Sequence, residues 1–369
     1  MTRFQRLAAV TVVTTLLLVT IGVVVRATES GVACPTWPGC FPGQFLPGLD
    51  ADYHVWLEWI HRTVAAVIGF LIIGMAALAV IDHRDRQSIL WPSVFAVALV
   101  GFQAYLGRET VRLGNSGESV TAHLAAAMAL VGILVYLMVR SGYPARLPAR
   151  GGSQRFTLLA VFGAAATFAL LLFGSNVTAV NAGLVFTDWP LMSGGIFPFD
   201  SNTPADVASL YVTHALHRYV AAIVLAILVA VAVGARRARP TNQRRIRIAD
   251  GILALYLIQV VVGGLQVLTL LSAWSQTLHV ALGAIIWGSS VALAASAYYG
   301  ARMAAPPVSG YGLAAGAGGS GAGGSGPGGS GAGAAASRPA ENGAPTSTLK
   351  ATFRAYVALT KPRIIELLL

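Results

Sequence analysis

Charge is scarce in this chain. Of its 369 residues only 11% are Asp, Glu, Lys or Arg (25 basic, 14 acidic), against 56% hydrophobic residues. With a mean hydropathy of +0.69, there are too few charges to solvate a soluble enzyme of this size and too much apolar surface for a disordered polymer. Cysteine is nearly absent as well. The pair Cys34 and Cys40, in CPTWPGC, is too sparse for a metal site without a neighbouring histidine. The first apolar run lacks a following small-x-small cleavage site, and Gly31 stands where a lipoprotein box needs a branched apolar residue. The run is therefore a retained span rather than a signal peptide.

What the chain does contain is apolar runs of bilayer length, about 20 residues each. Eight are centred within Leu7–Val25, Trp56–Ile81, Ile89–Leu106, Val120–Val139, Phe156–Asn176, Ala208–Gly234, Ile248–Leu271 and Thr277–Tyr299. The class is an all-α integral membrane protein. With the N-terminus inside, the inner segments hold fourteen arginines against Asp82, Asp85 and Asp250, and the outer segments hold five arginines against nine acids. Basic residues stay on the cytoplasmic side, so both termini are expected there. The net charge of +11 then records topology and gives no reason to expect a nucleic-acid partner. Residues 304–348 are Gly, Ala, Ser and Pro with few large apolar side chains, the composition of a flexible linker. Residues 349–369 begin a new amphipathic-to-apolar segment.

An internal repeat organises the spans. At an offset of 156, IHRTVAA (Ile60–Ala66) falls on LHRYVAA (Leu216–Ala222), Gln103 on Gln259, Gly107 on Gly263, Thr121 on Thr277 and His123 on His279. Upstream the offset is 152, matching Gly22 with Gly174, Gly31 with Gly183 and Trp37-Pro38 with Trp189-Pro190. Two four-span units follow, residues 1–145 and 146–303. Because four is even, both enter the membrane from the same side, as tandem four-helix bundles related by a pseudo-twofold axis along the membrane normal.

The repeat preserves four of the seven histidines: His61 with His217, and His123 with His279. Each half places one early in its second span and one early in its fourth, near the outer helix ends. Two imidazoles aimed across a helix bundle are the axial pair of a haem. A lone intramembrane histidine is more often a satisfied hydrogen-bonding residue, but two pairs at one spacing favour ligation, and zinc would want further ligands. The halves differ one turn earlier. Glu58 precedes His61, whereas its counterpart His214 precedes His217, each sharing a face with its histidine. A carboxylate there suits acid/base work or charge stabilisation, with an interfacial snorkelling residue as the simpler reading. Arg62 and Arg218 follow the histidines and could pair with haem propionates or anchor the membrane edge. For Cys34 and Cys40 an oxidising exterior favours a disulfide clamping the first outer loop, with a redox role left open. His54 and the solvated His83 receive no role.

Taken together, EWIHR, CPTWPGC, HLAAA, LHRYVAA and LHVALG across residues 1–300 resemble bacterial haem A synthase, a relative of the mitochondrial enzyme. The resemblance implies oxidation of a methyl group of haem O to a formyl group, giving haem A for terminal oxidases. It further implies a haem b cofactor held by His217 and His279 in the second half, and substrate haem O bracketed by His61 and His123 in the first. Glu58 becomes the catalytic carboxylate, and Cys34 and Cys40 the family's outer-loop pair. A bis-histidine iron offers dioxygen no open position. Either a histidine leaves in turnover, or electrons are removed from the porphyrin and water attacks. The segment YVALTKPRIIELLL, through Lys361, Pro362 and Arg363, resembles the first span of protohaem IX farnesyltransferase (haem O synthase). It implies a fusion of consecutive enzymes, with no farnesyltransferase activity expected from this chain alone. The expected setting is a bacterial inner membrane with a membrane electron donor, and a homo-oligomer stays open. The competing reading is a two-haem cytochrome b in quinol-linked electron transfer, which leaves Glu58 without a task. A transporter with parallel repeats would explain the symmetry but has no need of histidine pairs.

Overall fold

The computed structural model describes residues 1–147, 153–196 and 205–303. The linker and the prenyltransferase-like segment expected at 304–348 and 349–369 lie outside the described residues. Eight helices form: α1 (Arg3–Ala27), α2 (Tyr53–His83), α3 (Gln87–Arg112), α4 (Gly117–Arg140), α5 (Gln154–Ala179), α6 (Ala205–Arg237), α7 (Gln243–Leu268) and α8 (Ala273–Met303). All eight are long and apolar enough to cross a membrane. No β-strand forms among the described residues beyond two isolated bridges, in the loops after α1 and α5.

Most helices run past the apolar stretch at both ends, because polar caps continue them beyond the hydrocarbon. Thr2 and Gln5 form a reciprocal capping box on α1, while Asp52, Ser116, Ser153 and Asn242 each accept a first-turn N–H from α2, α4, α5 and α7. These bonds supply acceptors that the helix itself lacks. Inside the spans, the buried hydroxyls of Thr11, Thr15, Thr167 and Ser290 donate to the carbonyl four residues earlier, which satisfies them away from water. Pro92 sits within α3 and has no N–H for the carbonyl of Ser88. The Tyr136 hydroxyl fills that role, donating to Ser88 O at 3.2 Å. The seventh helix ends at Leu268, three residues before the apolar run does, because Leu270 and Leu271 take positive φ (51° and 57°).

Packing follows the order expected of two four-helix bundles. In the first half α1 lies on α2 and α4, and α3 on α2 and α4; in the second α5 lies on α6 and α8, and α7 on α6 and α8. The halves meet through α1 on α8, α4 on α5 and α4 on α8. Each half has its own apolar core, Phe4, Ile72, Met75, Leu134 and neighbours in the first and Val224, Leu228, Ile252, Leu293 and neighbours in the second. Trp287 of α8 packs against both cores. Its indole N–H donates to Met128 O at 2.8 Å, and its ring lies 5.0 Å from that of Phe168. A buried indole needs such an acceptor, and meeting it across α4 and α8 fixes the two halves together.

Candidate functional site

The four repeated histidines sit in the N-terminal halves of α2, α4, α6 and α8. Within each half one ring stands on the second helix and one on the fourth, His61 with His123 and His217 with His279. All four bury Nδ1 with no hydrogen-bond partner. Each ring also rests its Cε1 edge on a glycine of the neighbouring helix. A Cβ on Gly22 would stand 3.0 Å from His61 Cε1, and one on Gly174 would stand 3.0 Å from His217 Cε1. The corresponding values are 3.3 Å for Gly107 and His123, and 3.1 Å for Gly263 and His279. Only a residue without a side chain admits a ring this close to the helix backbone. The repeat therefore preserves each histidine together with the space its ring fills.

The loops that follow α1 and α5 repeat one another as well. Glu29 and Asn181 both take positive φ (57° and 56°) and lead into the short 3-10 turns Ser30–Val32 and Ala182–Leu184. Each loop then closes a tight turn, bridged by Phe41 and Gln44 in the first and by Met192 and Gly195 in the second. An arginine holds each turn to its helix. Arg62 donates through Nη1 to the carbonyls of Thr36 (2.6 Å) and Gly39 (3.0 Å), and Arg218 through Nη1 to those of Asp188 (3.2 Å) and Leu191 (2.8 Å). These bonds account for much of both guanidinium groups. Arg218 keeps one buried nitrogen, Nη2, without a partner. That use of the arginines was not read from the sequence, although the Trp-Pro and His-Arg pairs at matching spacing in both halves were its signal.

The halves diverge at the residue one turn before the histidine. Glu58 is 3% exposed, with Oε2 accepting the Cys34 N–H at 2.7 Å and Oε1 accepting Nη2 of Arg62. Cys34 and Cys40 form a disulfide, both half-cystines being buried. The carboxylate is thus tied at once to the disulfide loop and to the arginine that holds that loop. Burying two charges carries a large desolvation cost that the pairing and the added backbone bonds offset, and removing one partner typically costs about 3–5 kcal/mol. In the second half His214, 5% exposed, accepts Arg218 Nε at 3.2 Å and packs against Phe186 at 5.2 Å. There the turn is held by Asp188, which accepts the Ser193 and Gly194 N–H groups at 2.8 Å each. Those backbone donors, Gly194 foremost, lower the Asp188 pKa below its ordinary 3.8. His54 begins α2 and bonds Ser30 Oγ through Nδ1 at 2.7 Å, and His83 packs edge-on against Phe4.

Fold and site together define a multi-span helical membrane protein whose duplicated halves each carry two histidines with a buried, unpartnered Nδ1, and whose first half adds the buried, ion-paired Glu58 one turn before the first of them. The family described as cytochrome oxidase assembly protein (COX15-CtaA) matches residues 5–291, and the chain belongs to it. Its relatives include proteins named Heme A synthase. The one from Shouchella clausii is 32% identical over 231 residues, covering 62% of this chain and 74% of the relative. That from Shewanella oneidensis is 29% identical over 204 residues (51% and 61%), and that from Erythrobacter litoralis 28% over 311 residues (73% and 89%).

Proposed function

We propose that this protein oxidises a ring methyl group of haem O to a formyl group, yielding haem A. The observation that carries this reading is the asymmetry between otherwise matching halves. Both have the paired histidines, and only the first has Glu58, held by Arg62 and the disulfide loop. The family match and the names of the relatives support the same activity.

The donor set suits a haem in each half. Four rings have Nδ1 buried and Cε1 seated on a glycine, which leaves Nε2 as the nitrogen for iron. His217 and His279 would hold a resident haem b, and His61 and His123 the substrate haem O. A bound haem b supplies one-electron redox chemistry. Converting a methyl to a formyl group with water as the oxygen source releases four protons and four electrons, and both must leave the site. Glu58 is the acceptor placed for the protons. It lies one turn from His61 on the same face of α2, and Arg62 with the Cys34 N–H stabilises its charge between transfers. A haem b held by His217 and His279 would supply the one-electron chemistry that carries these electrons to a membrane acceptor, the role that falls to the membrane redox partner when water is the oxygen source.

In this reading both termini are cytoplasmic, the site lies at the outer face of a bacterial inner membrane, and the halves are related by a pseudo-twofold axis. Arg218, with Nη2 unpartnered, is the better placed of the two arginines to meet a propionate; Arg62 acts by holding the loop. Haem O synthase, which the 349–369 segment resembles, is the natural supplier of substrate. A cytochrome b that only relays electrons would need no buried carboxylate beside one histidine pair. The test is Glu58→Gln in cells supplied with haem O, with extracted haems analysed by mass. The hydroxylated intermediate should accumulate at the expense of haem A, and haem A at the wild-type level would remove Glu58 from the chemistry.

A further inference from the structure

The two halves differ at a second position, on the first helix of each. Along α1 the residues Phe4, Ala8, Thr11, Thr15 and Val19 are buried, a stripe at three- and four-residue spacing that marks one face of the helix. Continued by the same steps, the stripe reaches Gly22, the seat of the His61 ring, and then Arg26 in the last turn of α1. Arg26 therefore leaves the helix one turn beyond the histidine seat and on the same face. At the offset that matches Gly22 with Gly174, its counterpart is Thr178. That threonine is exposed and turns its hydroxyl back on the carbonyl of Gly174. Only the half that holds Glu58 has a cation here.

Arg26 also has nothing to hold. Four other arginines share this end of the helices, and each is engaged. Glu58 and the loop carbonyls take Arg62, and Glu109 takes both Arg108 and Arg112. His214 and the second loop take Arg218. Arg26, half-buried, makes no ion pair and no side-chain hydrogen bond among the described residues. Glu29, three residues on, has left the helix with positive φ (57°) and does not pair with it. Yet Nε of Arg26 is buried, a donor shut away from water without an acceptor, which native structures rarely leave unmatched. An arginine that merely anchors a membrane edge keeps its head in water. A guanidinium drawn in with its donors free suits a carboxylate, which it engages through two parallel bonds.

The porphyrin assigned to this half carries two carboxylates. Both propionates leave one edge of the ring, so a cation that holds them fixes how the porphyrin is rotated between His61 and His123. That rotation decides which ring methyl stands at Glu58. We propose that Arg26 is the substrate-binding cation of the first half, pairing with a propionate of haem O. This rests on the haem O reading above and gives that site its own carboxylate receptor, as the unpartnered Nη2 of Arg218 offers one in the second half.

The test is titration of haem O, followed by the Soret band, into the purified full chain that retains its haem b. A parallel titration uses haem O dimethyl ester, whose propionates carry no charge. A hydrogen-bonded charge pair contributes about 10- to 100-fold in affinity. Wild type should prefer the free acid by a factor in that range. Arg26→Gln should lose most of this preference while binding the ester as wild type does and keeping its full haem b. Arg26→Lys, with the charge but without the planar fork, should fall between the two. A merely structural arginine would weaken both ligands alike. Equal loss for acid and ester, a wild type with no acid preference, or a preference unchanged in Arg26→Gln overturns the proposal. Should Arg26→Gln fail to fold, Arg26→Lys decides, a narrowed preference supporting the proposal and an unchanged one overturning it. Wild type that binds neither form sinks the haem O reading itself, which a wild type binding both alongside unmoved variants does not.

Discussion

Replacing Gly174 with Ala tests whether the glycine seats exist to admit ligand rings. The new Cβ would stand 3.0 Å from Cε1 of His217, whereas carbon atoms rest comfortably at about 3.5–4.0 Å. The ring must retreat by roughly half an ångström, by leaving its rotamer well or by spreading α5 from α6. A side chain pushed about 30° off its rotamer costs about 0.5–1.5 kcal/mol, which is about 2- to 13-fold in affinity for a ligand that needs the original ring position. Glycine to alanine within a helix otherwise gains about 1 kcal/mol, so the variant should fold at least as well as wild type. Gly251 of α7 is the control, since a Cβ there meets nothing within 4 Å. The assay is haem titration of the purified apo-protein, followed by the Soret band. Gly174→Ala should weaken haem b binding within the stated range, and Gly251→Ala should leave it unchanged. Equal affinity in Gly174→Ala and wild type, or equal weakening by both substitutions, refutes the reasoning.

His217→Ala should remove the b-type spectrum of the purified protein while His61→Ala leaves most of it; equal loss from both would reverse the assignment of halves. Cys34→Ser with Cys40→Ser opens a short loop whose closure contributes about 2–4 kcal/mol on general grounds. It should lower the thermal midpoint and reduce haem A formation, because the Cys34 N–H no longer has a fixed place beside Glu58; unchanged activity would separate the loop from the carboxylate. The loop between α5 and α6 should respond to acid through Asp188, whose pKa is depressed on folding by the Gly194 and Ser193 N–H groups. A depressed carboxyl stabilises the fold above its ordinary 3.8 and loses that contribution as pH falls through the lower folded value. Limited proteolysis of this loop should therefore accelerate below that pH in wild type and lose the acid dependence in Asp188→Asn.

The eight spans were readable because lipid demands long apolar runs and tolerates little else. Their ends were not, since Thr2, Asp52, Ser116 and Asn242 carry the helices beyond the apolar stretch, and a hydropathy reading stops at the last apolar residue. Leu270 and Leu271 hid the true end of α7 because nothing in a pair of leucines announces positive φ. The four histidines stood out through duplication, which turns a lone polar residue into a spacing, and the glycine seat that each ring fills repeats with it. The link from Cys34 N–H to Glu58 was invisible, as it joins a loop to a helix 24 residues away through a backbone atom. Arg62 and Arg218 were expected as propionate partners or edge anchors, and the loop carbonyls that hold most of their donors have no signature in side-chain chemistry. Gln103 and Gln259 were visible as matched positions, but only coordinates reveal that each donates to the backbone carbonyl of a repeated histidine.

The most direct measurement of the central claim is the mass of the haems extracted from cells that express this chain and are supplied with haem O. The account predicts haem A. Haem O persisting alone, in a folded protein that still carries haem b, would contradict it.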